Sequence, residues 1–263
     1  MSMSEIVKQD SSAAVDRSLR AFTPARIALA RTGSSLATRE TLAFALDHAQ
    51  ARDAVHASLS LPTLLGELHA RGLAAVAVRG AAQDRRTYLK RPDLGRRLSE
   101  ASASALHSSA AATGLPRLTI ILADGLSALA TDRHAVAVVD ALLPLVRGTW
   151  EITEIVVAEQ ARVALGDEIG AALRAKMTVM LIGERPGLSA ADSLGAYITW
   201  EPRPGRTNAE RNCISNIRGE GLSPKTAAER IALFLREAVR LQATGTALKD
   251  PNDAQPIVRM VPP

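Results

Sequence analysis

The sequence predicts an α/β protein, a small helical region followed by a domain with a mainly parallel sheet. Two observations carry this. Residues 118–123 (LTIILA) form an apolar run as expected of a strand covered on both faces, 152–158 and 177–182 (MTVMLI) read as further strands, and helical patterns separate them. The 263 residues are 47% hydrophobic, enough for a sizeable core, yet they include only three Phe, two Trp and two Tyr. That core must therefore be built from Ala, Leu, Val and Ile. The same scarcity argues against single-stranded nucleic-acid binding, which stacks bases on aromatic platforms. Thirty-two basic against twenty-seven acidic residues leave a formal charge of +5, a modest excess for this length. A single cysteine excludes an intrachain disulfide framework and suits a reducing compartment. No apolar run approaches a membrane span, and MSMSEIVKQDSS lacks the apolar centre of a secretory signal, so a soluble intracellular chain is expected.

Each element follows from local signals. Residues 1–22 are polar and Ser-rich and read as a tail. From Arg39 the pattern turns helical: Leu42, Ala45, Leu46 and Ala49 fall at i, i+3, i+4 and i+7 and share one face. A second helix follows Pro62, with Leu64, Leu65 and Leu68 ahead of a stop at Gly72. Residues 73–78 are a weaker strand candidate, because alanine disfavours strands. The segment 84–97 (DRRTYLKRPDLGRR) carries six cations against two anions and contains the boundary between a helical domain, 23–90, and a sheet domain, 91–248. Pro92 biases Arg91 away from helical geometry, so a helix is expected from about Asp93. Leu94, Leu98, Ala101 and Ala105 would be its buried stripe, and Gly114-Leu115-Pro116 its end. Helices at 134–146 and 167–175 then alternate with the apolar strands, and 196–200 is a fourth strand candidate. Ser223 caps the last helix, Pro224 occupies its first turn, and Ile231, Phe234, Leu235 and Ala238 form its apolar face. Residues 249–263 read as a C-terminal tail.

Ligands of open parallel sheets bind beyond the carboxyl ends of the strands, where loops and helix N-termini converge. Two such ends carry dense turn chemistry: Asp124-Gly125-Leu126-Ser127, and Gly183-Glu184-Arg185-Pro186-Gly187. The glycines let backbone approach a ligand, while Glu184 and Arg185 offer an acceptor and a donor fork; alternatively, they only shape and solvate a loop. Neither loop is a GxGxxG fingerprint or a P-loop. The histidines His48, His56, His69, His107 and His134 are isolated, as helix-face residues are, and there is no GxSxG elbow. Cys213, in RNCISN, read alone is a small buried hydrophobe. The basic stretch 85–97 has the chemistry to grip phosphate, but such runs are usually solvated faces. On these residues alone the chain is an α/β ligand-binding module without its own catalytic set.

At the same places the sequence resembles the small (light) subunit of ethanolamine ammonia-lyase. The words that carry the resemblance are YLKRPDLGRRL at 88–98, ADGLS at 123–127, GDEIG at 166–170, IGERPGL at 182–188 and NCISNI at 212–217. The resemblance spans residues 24–241, and five words in order are more specific than any one of them. It implies a helical N-terminal domain followed by a Rossmann-like domain that contacts adenosylcobalamin. It further implies a large (β/α)₈-barrel subunit on another chain, in a hetero-oligomer with six copies of each. That subunit would hold ethanolamine and most catalytic groups, with the corrin between the two chains. Carried over by position, the small-subunit cofactor contacts are Val163, Glu184 and Cys213, with no catalytic residue and no metal ligand here. The family reaction forms a deoxyadenosyl radical that abstracts hydrogen from ethanolamine, giving acetaldehyde and ammonia, and the cofactor carries the hard step. The chain has no Asp-x-His-x-x-Gly word, by which other cobalamin proteins replace the lower axial base with histidine. Some family members carry a longer N-terminal extension associated with bacterial microcompartments. Here about twenty residues precede the resemblance, with a weak amphipathic pattern at 5–20, so microcompartment and cytoplasm both stay open. The alternatives are a stand-alone regulatory module for a nucleotide or phosphorylated metabolite, and a nucleic-acid binder acting through 85–97.

Overall fold

The computed structural model describes residues 22, 25–27, 29, 31–106 and 113–249. The expected tails, apart from Phe22 and Lys249, lie outside the described residues, as do the 5–20 pattern and His107. The chain divides into two compact units, Met1–Asp53 with Gly187–Ala191, and Ala54–Pro186 with Asp192–Pro263.

In the first unit a short antiparallel pair, β1 (Arg31–Thr32) and β2 (Ser35–Leu36), precedes α1 (Thr38–His56), whose last turn belongs to the second unit. Arg26 pairs with Asp47 and lies 5.1 Å from the Phe44 ring centroid, and Phe44 in turn stacks on His48. The face that these apolar residues share is open: Leu42 is 65% and Leu46 59% exposed. Periodicity identifies which residues share a face, and says nothing of what covers it.

The second unit begins with α2 (Leu61–Ala70), β3 (Ala75–Arg79), α3 (Arg85–Lys90), a 3₁₀ turn (Leu94–Arg96) and α4 (Glu100–Ala105). There follow β4 (Arg117–Ala123), α5 (Ala128–Val146), β5 (Glu151–Ile152), β6 (Ile155–Glu159) and α6 (Leu165–Ala172). The chain continues through β7 (Met177–Gly183), β8 (Leu194–Trp200), β9 (Arg211–Ile217) and α7 (Pro224–Leu241). One seven-stranded sheet has the order β3-β6-β4-β7-β8-β9, with β5 beside β4. The first four strands of that order are mutually parallel; β8 and β9 return antiparallel. The reason is connection: helices carry the chain across from β4 to β6 and from β6 to β7, whereas loops suffice for β8 and β9. The architecture is thus α/β with a mainly parallel sheet, as the sequence predicts.

The apolar run of β4 serves two faces. Leu118, Ile120 and Leu122 join the cluster containing Val138 and Leu142 of α5, Ile231 and Leu235 of α7, and Leu64 and Leu68 of α2. Ile121 and Ala123, pointing the other way, join Leu165 and Ile169 of α6. Ser127 caps α5 by accepting from Ala130 N, and Ser223 caps α7 by accepting from Thr226 N, with Pro224 at its start.

Three elements differ from the sequence reading. The sheet starts with β3, inside the segment assigned to the helical domain, because 75–79 pairs residue for residue with β6, from Ala75↔Ile155 to Arg79↔Glu159. The helix expected from Asp93 is interrupted: Leu98 bridges Gly80, Ser99 N donates to Arg79 O at 3.0 Å, and the chain must extend to make both contacts. Ser99 then caps α4. Finally, the sequence reading contains no strand at β9, a largely polar outer strand that pairs antiparallel with β8. Among the described residues no helix is long and apolar enough to cross a membrane.

Candidate functional site

Because β4, β6 and β7 are parallel and adjacent, the loops at their carboxyl ends meet on one edge of the sheet. Asp124, the residue after β4, is 3% exposed and ties the first loop to the second. Its carboxylate accepts from Gln160 N at 2.8 Å and Ala161 N at 3.0 Å, and pairs with Arg85 Nη1 at 3.1 Å. Burial pushes its carboxyl up to about 6, against the opposing pull of these donors and Arg85. The first and third loops are joined backbone to backbone, with Leu126 N donating to Gly183 O at 2.9 Å. No side chain fits there: a Cβ on Gly183 would lie 2.0 Å from Ser127 O. Gly125 also has φ +53, a conformation that glycine adopts without strain.

The word YLKRPDLGRRL supplies the floor. Tyr88 is fully buried and donates its hydroxyl hydrogen to Ala161 O at 2.8 Å. The guanidinium carbons of Arg85 and Arg162 lie 5.0 and 4.6 Å from its ring centroid. Burial holds the Tyr88 phenol well above its ordinary range, and the Asp124 carboxylate adds to the effect. Gly95 clears the space beside it, since a Cβ there would lie 2.7 Å from the Tyr88 ring and 2.9 Å from Arg162 Cγ. The basic stretch is therefore not one solvated face. Arg85 turns inward to Asp124, Gly125 O and Val55 O, while Arg91 pairs with Asp93 at the surface.

These loops enclose a cavity of about 400 Å³. Gly125 and Leu126 come from the first loop, Arg162 and Val163 from the second, and Ile182 to Arg185 from the third; Tyr88 and Tyr197 complete it. Glu184 Oε2 accepts from Ser193 Oγ at 2.5 Å and Asn216 N at 3.2 Å, which fixes the carboxylate. Gly195 leaves room for the other oxygen, as a Cβ there would lie 3.0 Å from Oε1. Tyr197 lies opposite Cys213 in the β8–β9 register. Burial pushes the Tyr197 phenol up, and Cys213 and Glu184 push it further.

Val163 and Glu184 thus line one cavity, and Cys213 lies beside it, next to Tyr197. Cys213 is exposed, with Sγ 3.4 Å from Ser215 Oγ, and is not the small buried hydrophobe that the residue type alone implies. Sequence reasoning did not single out Tyr88, Arg162 or Tyr197. Tyr88 stood inside a strong word, but its role depends on a loop 73 residues away.

A mainly parallel sheet whose strand-end loops enclose an amphipathic, charged cavity defines an α/β ligand-contact protein. Comparison with known proteins narrows this class. A family model described as "Ethanolamine ammonia-lyase light chain (EutC)" matches residues 14–249. The chain is 57% identical over 234 residues to the ethanolamine ammonia-lyase small subunit of Bradyrhizobium diazoefficiens, covering 88% of this chain and 89% of that one. It is 53% identical over 240 residues to the small subunit of Pseudomonas aeruginosa, with 90% and 88% covered. For the Azotobacter vinelandii small subunit the identity is 54% over 234 residues, with 88% and 87% covered. The chain belongs to the ethanolamine ammonia-lyase small-subunit family, and so is a subunit of a lyase.

Proposed function

We propose that this chain is the small subunit of an adenosylcobalamin-dependent ethanolamine ammonia-lyase, and that its strand-end cavity forms this chain's share of the corrin site. The observation that carries the reading is the convergence of Val163 and Glu184 on one cavity, with Cys213 beside it. The residues fit the group. A corrin presents an apolar ring edge rimmed with amide side chains. Val163, Leu126 and Ile182 offer apolar surface, while the fixed Glu184 carboxylate accepts from amide N–H groups. A cavity of about 400 Å³ takes only part of so large a molecule, in keeping with a site shared between two chains.

Bound adenosylcobalamin would supply the radical chemistry that converts ethanolamine to acetaldehyde and ammonia. The work of this chain is positioning. Ser193 and Asn216 hold Glu184 in one orientation, Val163 and Leu126 exclude water from the ring edge, and Cys213 borders the site without acid–base work. Substrate and most catalytic groups belong to a large barrel subunit, joined with this chain in a hetero-oligomer of six copies each. The complex would work in the cytosol or in a bacterial microcompartment. Reconstitution tests this. The purified chain alone should turn over no ethanolamine, and acetaldehyde should form when the large subunit and adenosylcobalamin are both added. Full activity from this chain alone, or none from the complete mixture, refutes the proposal.

A further inference from the structure

Arg162 has an unusual position in the cavity wall. Its stem lies over Gly95 and its guanidinium near the Tyr88 ring, so two residues of the 88–98 word place this side chain. Its backbone N also donates to Gly95 O at 2.8 Å. Yet the head is unmatched. Arg162 Nε is buried with no hydrogen-bond acceptor, and among the described residues Arg162 has no carboxylate partner. The neighbouring carboxylates are already engaged: Asp124 by Arg85 and two backbone amides, Glu184 Oε2 by Ser193 and Asn216, and Glu168 by Leu98 N. Arg162 as a whole is only half-buried, and a guanidinium on a cavity wall with no carboxylate partner is free to be matched by an anion that enters the cavity.

The charge of the lining says which kind. Arg162 and Arg185 oppose Glu184, leaving one net positive charge. This balances a monoanion; a dianion would be left in excess and repelled by Glu184. The planar fork of arginine matches two oxygens of a phosphate group. We propose that Arg162 recognises a phosphodiester in this cavity. Two sources share that chemistry, the phosphodiester of the cobalamin nucleotide loop and that of a cyclic nucleotide. The first rests on the cofactor reading given above; the second does not.

The test is equilibrium binding to the assembled two-chain enzyme, with three probes: adenosylcobalamin, adenosylcobinamide (which has the ring and its amides but no phosphodiester) and cyclic AMP. Arg162→Met keeps the apolar stem against Tyr88 and Gly95. It should weaken adenosylcobalamin about ten- to a hundredfold, the loss expected for hydrogen bonds to a charged group. Adenosylcobinamide affinity should change less than about twofold, because the lost partner is absent from it. Arg162→Lys, which keeps the charge but not the fork, should fall between, and it carries the same comparison if the Met variant does not fold. Equal losses for the two corrinoids, or no loss for either, overturn the proposal. If the wild-type enzyme binds neither corrinoid, the cofactor reading falls and cyclic AMP decides: binding that depends on Arg162 supports the phosphodiester site, and absent or Arg162-independent binding overturns it.

Discussion

Glu184 carries the most specific expectation at the scale of single residues. Its carboxylate is fixed on Oε2 by Ser193 and Asn216, so truncation removes an oriented acceptor and frees these two local donors. Glu184→Ala should lower adenosylcobalamin affinity about tenfold while leaving assembly with the large subunit intact. Cofactor titration and size-exclusion chromatography check the two halves. Asp124 makes a different prediction. Its folded value of about 6 lies above the ordinary 3.8, because burial outweighs three hydrogen bonds. This carboxyl therefore contributes stability that is fully present below pH 4 and is lost as pH rises through 6. Asp124→Asn should remove that slope, so wild-type and variant urea midpoints should converge or diverge between pH 4 and 7; parallel curves would be contrary. Residue type was legible for both positions in the sequence. What was not legible is environment, as Cys213 illustrates: the residue most often buried is here exposed on an outer strand.

At the scale of elements, the junction of the β4 and β7 loops is the least tolerant point. Gly183 faces Ser127 O and Asp124 O, with 2.0 and 2.6 Å to any added Cβ, and these atoms are backbone that cannot rotate away. Gly183→Ala should destabilise the protein by about 3 kcal/mol, read as a lower urea midpoint, and should reduce cofactor affinity by separating the two loops. Most strands and helices were legible because their signals are local: the apolar runs, the cap at Ser223, and Pro224. The misread elements are those that distant partners decide. β3 is alanine-rich and exists through pairing with β6, and the break at Leu98 exists because the chain there reaches back to Gly80 and Arg79.

At the scale of the whole molecule, both buried clusters are formed by residues after Asp53, beginning with Leu59 on one face of the sheet and Val78 on the other. A chain starting at Ala54 should therefore fold cooperatively, with a Tm within about 5 °C of the full-length protein. Circular dichroism melting checks this, and a broad or absent transition would show that the first unit is needed for the sheet. The helical pattern around Leu42 and Leu46 was correct as a pattern, yet those side chains are 65% and 59% exposed.

The sequence by itself determined the class of fold, the order of most elements and the two strand-end loops, since length, periodicity and turn chemistry are properties of neighbouring residues. Its five words also specified the family. Only the tertiary structure decided that Asp124 and Arg85 lock the loops, that Tyr88 and Gly95 hold Arg162, and that Val163 and Glu184 share a cavity. The physical reason is that burial, pairing and charge balance depend on atoms brought together from distant parts of the chain, such as Tyr88 Oη and Ala161 O, 73 residues apart.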